Sequence, residues 1–421
     1  MKLIKVNSWL IVLLTTLVIV FQGLILSAQT QQPITITTLI RADEAQQLQP
    51  LVTKFNQQHD DIKFQIIEAP SDSNQVEDLY TSSFLLGNSP YDLVYMDIVW
   101  TPKFAAAGWL ENLSDRLTAT EAQQYLEGDI AGGMYENKLY RIPFRSDAGM
   151  LYYRQDLLEK AGYAPPETFK ELLEISQDLQ QQGLTEWGYV WQGKQYEGLA
   201  AMFVEILQGS GAFWVNPDTL EVGLDRPEAL EAVEFLRKAI ATEVSPPGVT
   251  TYAEEETRLL FQNGKAAFLR NWPYVYSAAL DSPIAGKYSI KPMVHGEGKD
   301  SGACLGGWGI GIAKTTKHSD AAWEVISFLS SEESQRKFVL ETGFVPSRTS
   351  LFNDQAIVSK YNYYPKLLDV VQSSALRPPI SQYAQASDIL QRYLSAAITG
   401  KMTPEKAMQA AANETRNLLN L

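Results

Sequence analysis

Carboxylates, guanidinium groups and indole rings gather beside turns in this sequence. Glu44 and Asp97 each stand just past an apolar run, and Arg145-Ser146-Asp147 lies between Pro143 and Gly149. Trp272-Pro273-Tyr274 follows Arg270, Gly306-Gly307-Trp308 sets an indole after paired glycines, and Arg377 precedes Pro378. The chain holds nine Trp and 20 Tyr, more than a core of its size requires. Such a set suits a ring that is apolar on its faces and hydroxylated round its rim, as a pyranose is. The C–H faces stack on aromatic rings, and the hydroxyls need charged acceptors and donors. Each residue also has an ordinary use, since a Trp fills cores, a strand-end Asp caps helices and a lone Arg pairs at the surface. The case rests on their convergence in one cleft lined by aromatic platforms and a few charged groups.

Other chemistries fail on spacing. Gly188 to Lys194 spells G-x-x-x-x-G-K, but Gln195 stands where a phosphate loop needs a Mg²⁺-binding Ser or Thr. Gly307-Trp308-Gly309-Ile310-Gly311 has glycine spacing without the dinucleotide fingerprint and reads as an apolar turn or strand. His59, His295 and His318 are scattered, with no HExxH motif or cysteine partner, so neither a metal nor a cofactor is expected. A net charge of -14 over 421 residues disfavours nucleic acid, whose phosphates require a basic surface.

The elements that must position these groups begin as β-α-β-α-β. Ile34 to Ile40 alternates as a strand, and Asp43 with Gln46 forms a capping box for a helix to about Asn56. Ile62, Phe64 and Ile66 alternate again, a helix covers 75–86, and Tyr91 to Met96 ends in Asp97. This order implies a mainly parallel sheet flanked by helices, with ligands beyond the carboxyl ends of the strands. Glu44 and Asp97 share that edge. Further helices open at Thr168 to Glu171, at Pro227 and twice after Ser387. Segments around 139–154, 271–273 and 343–346 read as crossings between two lobes. The expected division is 29–142 plus about 275–342 in one lobe, and 143–274 plus about 343–421 in the other.

Met1 to Ala28 has a basic start, a long apolar stretch and a small residue at its end, the order of a signal peptide. The apolar stretch is long enough to serve as an anchor if uncleaved. The single cysteine, Cys304, excludes an intrachain disulfide and reads as a buried filler.

Seven ordered motifs carry a resemblance. They are Val94 to Trp100, Ala107 to Glu111, Asp147 to Arg154, Tyr189 to Gly198, Arg270 to Tyr274, Leu305 to Trp308, and Arg377-Pro378 with Tyr383. Through them nearly the whole chain after the leader resembles the trehalose/maltose-binding proteins of ABC importers, among extracellular sugar-binding proteins of the maltose-binding-protein fold. The resemblance implies a two-lobed periplasmic-binding fold of type II that closes on an α-linked disaccharide or related glycoside. It also implies delivery to a membrane permease with its ATPase, a monomeric state, an extracytoplasmic location and no catalysis. In the family pattern Glu44, Asp97 and Asp147 take sugar hydroxyls, Trp272 and Tyr274 give stacking surface, and Gly306 and Trp308 add backbone contact and a second platform. Arg377 then donates paired hydrogen bonds. Arg145 departs from the pattern, replacing an aromatic residue, and a basic residue is missing near Gln75-Val76. An extra guanidinium in the pocket favours a smaller or more polar aglycone, as in sucrose or glucosylglycerol. Two rivals remain: a secreted glycosidase using two of the three carboxylates, which would have to stand roughly 5–10 Å apart, and a tethered sugar sensor or lectin.

Overall fold

Twelve strands organise the described residues: β1 (Ile34–Arg41), β2 (Ile62–Ala69), β3 (Leu93–Asp97), β4 (Met134–Tyr135), β5 (Lys138–Leu139), β6 (Ile142–Ala148), β7 (Met150–Arg154), β8 (Trp187–Val190), β9 (Ala266–Asn271), β10 (Tyr288–Lys291), β11 (Leu305–Ile312) and β12 (Val345–Pro346). The computed structural model describes residues 32–420, save Ser71, Asp218, Ser373 and the side chain of Asp43. The expected leader lies outside these residues.

Two larger sheets follow, one of six strands in the order β12-β6-β11-β3-β1-β2 and one of four in the order β10-β7-β9-β8, while β4 and β5 pair only with each other as an antiparallel ribbon. In the first, β1 pairs in parallel with β2 along its whole length and touches β3 at Thr38 opposite Leu93. The two strands diverge because the Tyr80 hydroxyl enters between them, accepting from Leu39 N at 3.0 Å and Tyr95 N at 3.1 Å and donating to Leu39 O at 2.7 Å. Buried Val76, Tyr80 and Phe84 on the helix Ser73–Leu85 recur at the spacing of one helical face, which seats that helix on the sheet. β11 runs antiparallel to both β3 and β6, so β1, β2, β3 and β6 share one direction. In the second sheet β8 and β9 are parallel, and β7 runs against β9 and β10. Each sheet is therefore mixed, with most strands pointing one way.

The expected lobe boundaries shift. β6 contains Pro143 yet stays in the first sheet, because Pro143 lies opposite Gly309 where the register slips, a place that needs no backbone donor. The chain leaves the first sheet at Gly149, not at 142. Asn271-Trp272-Pro273 closes β9 and starts the helix Tyr274–Ala278, and the chain remains with the second sheet through β10. It returns between Lys291 and Leu305. Gly343 ends the helix Glu332–Thr342 in a left-handed conformation and β12 joins β6, so the third crossing falls later, between the helices Tyr364–Gln372 and Tyr383–Ile398. Turn residues there mark caps and strand ends. The first helix, Ala42–Gln58, likewise starts one residue before the expected cap, with Arg41 at its N-cap and no side-chain capping bond.

All three crossings lie side by side. Gly149 N donates to Cys304 O at 3.3 Å, Ala375 N to Ala303 O at 3.0 Å, and Leu305 N to Ala375 O at 2.9 Å. Beneath them, Glu205 and Arg270 are fully buried and form a two-point ion pair, with Arg270 Nε 2.7 Å from Glu205 Oε2 and Nη2 on Oε1. Gln192 Oε1 takes a third guanidinium bond at 3.0 Å, and Cys304 N donates to Glu205 at 3.4 Å. A methyl group on Gly149 would overlap both members of the pair, which explains glycine at that crossing.

A second buried pair is less complete. Asp129 accepts from Ser146 Oγ at 3.0 Å, while its other oxygen has no hydrogen-bond partner among the described residues. Arg141, also fully buried, donates to the Asp129 backbone carbonyl at 3.3 Å and has Nε and Nη2 without partners among the described residues. Burial pushes the Asp129 carboxyl up to about 7, with Arg141 offsetting only part of the rise. The native state thus holds a proton that the unfolded chain has already released, and stability falls as pH climbs from about 4 to about 7. Asp129→Asn removes that loss. Its stability relative to the parent protein should rise by on the order of 2 kcal/mol between about pH 5 and about pH 8. Denaturant titrations giving the same difference at both pH values would refute this.

Candidate functional site

β11 assembles the site. Its register sets Gly306 opposite Asp147 and Trp308 opposite Arg145 on β6, and Trp308 opposite Asp97 on β3. Gly307 between them has φ +127°, and a side chain there would press within 2.7 Å of the Arg145 carbonyl. Only glycine keeps the two strands this close.

Glu44 arrives from β1 in the first turn of the helix Ala42–Gln58 and is fully buried. It accepts from Arg145 Nε at 2.7 Å, from Arg145 Nη2 at 3.2 Å and from the Tyr95 hydroxyl. Arg145 Nη1 goes to Asp147 Oδ2. One guanidinium therefore joins two of the expected carboxylates, and their protonation differs with their share of it. Burial would raise the Glu44 carboxyl, but the two-point bond from Arg145 reverses this and holds it below the usual range. Asp147 receives a single bond, so burial, aided by the nearby Glu44 charge, pushes it up to about 6. Its Oδ1 has no partner among the described residues.

The extra guanidinium expected in the pocket is thus not free. Arg145 is 3% exposed, has every nitrogen bonded to Glu44 or Asp147, and lies 4.6 Å from the Phe344 ring and 5.7 Å from that of Trp308. It organises the carboxylates. Trp308 differs from expectation too. It is 5% exposed, stacked on Tyr95 at 5.2 Å and 21°, edge-on to Trp100 at 5.3 Å and flanked by Arg41 at 5.4 Å. Its ring is a pillar of the first lobe with little surface left for a ligand.

Trp272 and Tyr274 are half-buried. The indole edge reaches from the end of β9 to β11, 3.3 Å from where a Gly306 methyl would sit, so Gly306 is small to admit it. Arg270 lies 4.2 Å from the ring centroid, and the indole N–H donates to Glu254 at 3.3 Å. The Tyr274 hydroxyl donates to Glu255 at 2.8 Å, and its ring stands 6.4 Å from that of Phe344. Asp97 caps the short turn Ile98–Trp100 through Val99 N at 3.2 Å and also accepts from Arg377 Nη2 at 2.9 Å. Arg377 Nη1 reaches Glu197 at 2.7 Å. All nine expected residues thus join one chain of contacts where the two sheets meet.

Glu197, Glu254 and Phe344 belong to this constellation and were not expected there. Glu197 and Phe344 lie inside motifs visible in the sequence, but nothing in their type told a ligand group from a helix start or a crossing. Trp187–Val190 is strand β8, His59 and His318 flank helices, and no three His, Cys, Asp or Glu converge as a metal site among the described residues. No described helix is long and apolar enough to cross a membrane.

Two mixed sheets, three crossings and the charged cluster that joins them define a two-lobed binding protein. The chain belongs to the bacterial extracellular solute-binding protein family, whose model matches residues 41–336. A probable ABC transporter-binding protein of Deinococcus radiodurans is 31% identical over 354 residues, 82% of this chain and 84% of that one. A mannitol-binding protein of Pseudomonas aeruginosa is 25% identical, covering 93% of this chain and 94% of its own. The structure of maltose-bound T. maritima MalE3 superposes with a TM-score of 0.86 at 36% identity, covering 91% of this chain and 100% of that one.

Proposed function

We propose that this protein is the ligand-carrying subunit of an ABC sugar importer, working outside the cytoplasm and binding an α-linked disaccharide or related small glycoside. Trehalose, maltose, sucrose and glucosylglycerol are the candidates. The observation that carries this reading is the cluster of contacts joining the two sheets, which holds half-buried Trp272 and Tyr274 together with Asp147 and Arg377, each of the latter two having a buried polar atom without a partner among the described residues. Ring faces would stack on the aromatic residues, and hydroxyls would supply the missing partners. An unmatched hydroxyl would cost ~1–3 kcal/mol, which makes the hydroxyl pattern the basis of selectivity. The likeness to a maltose-bound protein supports the choice of ligand class. Binding draws the lobes together by rotation about their crossings, and the permease with its ATPase receives the closed form.

Each expected carboxylate is committed to a guanidinium, Glu44 and Asp147 to Arg145 and Asp97 to Arg377. That favours holding hydroxyls over passing protons to a glycosidic bond. Thermal unfolding with trehalose, maltose, sucrose, glucosylglycerol and mannitol tests the reading. A ligand at a hundredfold excess over its Kd stabilises the native state by about 2.7 kcal/mol. No shift with any glycoside, or glucose released from one, would overturn it.

A further inference from the structure

At the foot of the helix Glu197–Gly209, one carboxylate collects three donors. Glu197 accepts from Arg377 Nη1 at 2.7 Å, from the Tyr383 hydroxyl, and from Ser387 Oγ at 2.5 Å. Gln391 Nε2 donates to Ser387 Oγ at 2.8 Å, which leaves the serine's own hydrogen for Glu197. Tyr383 and Ser387 both lie on the helix Tyr383–Ile398, which packs against the helix that Glu197 begins. Glu197 and these partners therefore move as one body with the second lobe. Asp97, at the end of β3, belongs to the first.

Arg377 sits between them. Its backbone follows the third crossing at Ala375 and precedes Pro378-Pro379, so no regular element fixes its direction. Its side chain is only 3% exposed, and water cannot orient it. A long cation in such a place is aimed by the anions it meets. Nη1 is tied to Glu197, Nη2 reaches Asp97, and Nε is buried without a partner among the described residues.

We propose that Glu197 is the positioning residue of this site: it holds Arg377 on the second lobe so that the guanidinium meets Asp97 and presents its remaining N–H groups to the ligand. With three donors already placed, Glu197 touches no ligand itself and acts through Arg377. The consequence for affinity rests on the sugar-binding reading; the aiming of Arg377 does not.

Glu197→Gln keeps the shape but puts an amide donor against the existing donors. Calorimetric titration with maltose should show at least about a tenfold loss of affinity in Glu197→Gln, the scale of one charge-assisted hydrogen bond. In an Arg377→Ala background the same change should cost no more than about twofold, because the group it aims is gone. Affinity equal to that of the parent protein, or the same tenfold loss in both backgrounds, would overturn the proposal. A second measurement needs no sugar. The Arg377 Nε–H resonance of the ligand-free protein, assigned by its loss in Arg377→Ala, should exchange with water at least about tenfold faster in Glu197→Gln. Unchanged exchange overturns the proposal whatever the ligand. If the parent protein binds none of the sugars, the sugar reading fails and exchange alone decides the role of Glu197. Glu197→Asp, which retracts the carboxylate by one methylene, should show the same acceleration and replaces the Gln variant should that fail to fold.

Discussion

Glu205→Ala lowers the stability of the folded protein by about 3–5 kcal/mol, the cost of stranding a buried guanidinium. Glu205 and Arg270 are both fully enclosed, and the two oxygens of Glu205 accept two bonds from Arg270 and one from the Cys304 amide. Removing it leaves a charge with only Gln192 as a polar partner, in surroundings from which water is excluded. The pair also supports Trp272, whose ring lies on the same guanidinium. Replacing both residues together with apolar side chains of similar volume should cost much less than the single change, because no charge is then left unpaired. Urea titration of the single and double variants provides the check. A single variant within about 1 kcal/mol of the parent would show that the pair does not carry this load.

The second expectation separates two tryptophans that look alike in the sequence. Trp308→Ala removes a nearly enclosed ring packed on Tyr95 and Trp100, and should cost about 3–5 kcal/mol of stability. Trp272→Ala should cost clearly less stability than Trp308→Ala yet weaken maltose binding about ten- to a hundredfold, because it deletes stacking surface for the sugar. Thermal unfolding and calorimetry on both variants test this together. Equal loss of sugar affinity at unchanged stability in the two would return Trp308 to the role of platform.

Local elements were legible because local rules govern them. The run from Ile34 to Asp97 shows its β-α-β-α-β order through periodicity, and Thr168 with Glu171 forms the expected capping box. The helix from Pro227 buries Ala229, Ala232, Val233 and Leu236 on one face as their spacing requires. What a single chain hides is pairing across distance. Glu205 reads as a polar residue in an apolar helix, and only the fold brings it to Arg270. Arg145 reads as a free cation, and only the register of β6 against β11 shows it locked between Glu44 and Asp147. The lobe boundaries were displaced for a related reason. Pro143, Trp272-Pro273 and Gly343 are true local punctuation, but whether a break turns a strand, caps a helix or leaves a sheet depends on neighbours far along the chain.

The three backbone ties at Gly149, Cys304 and Ala375 restrict how the molecule can change shape. Three separate ropes would let one half wander in pitch, yaw and slide, whereas ropes knotted at one height leave a single swing. On the carrier reading proposed above, a membrane partner would sense that swing as a change of outline and need no direct knowledge of the cargo inside.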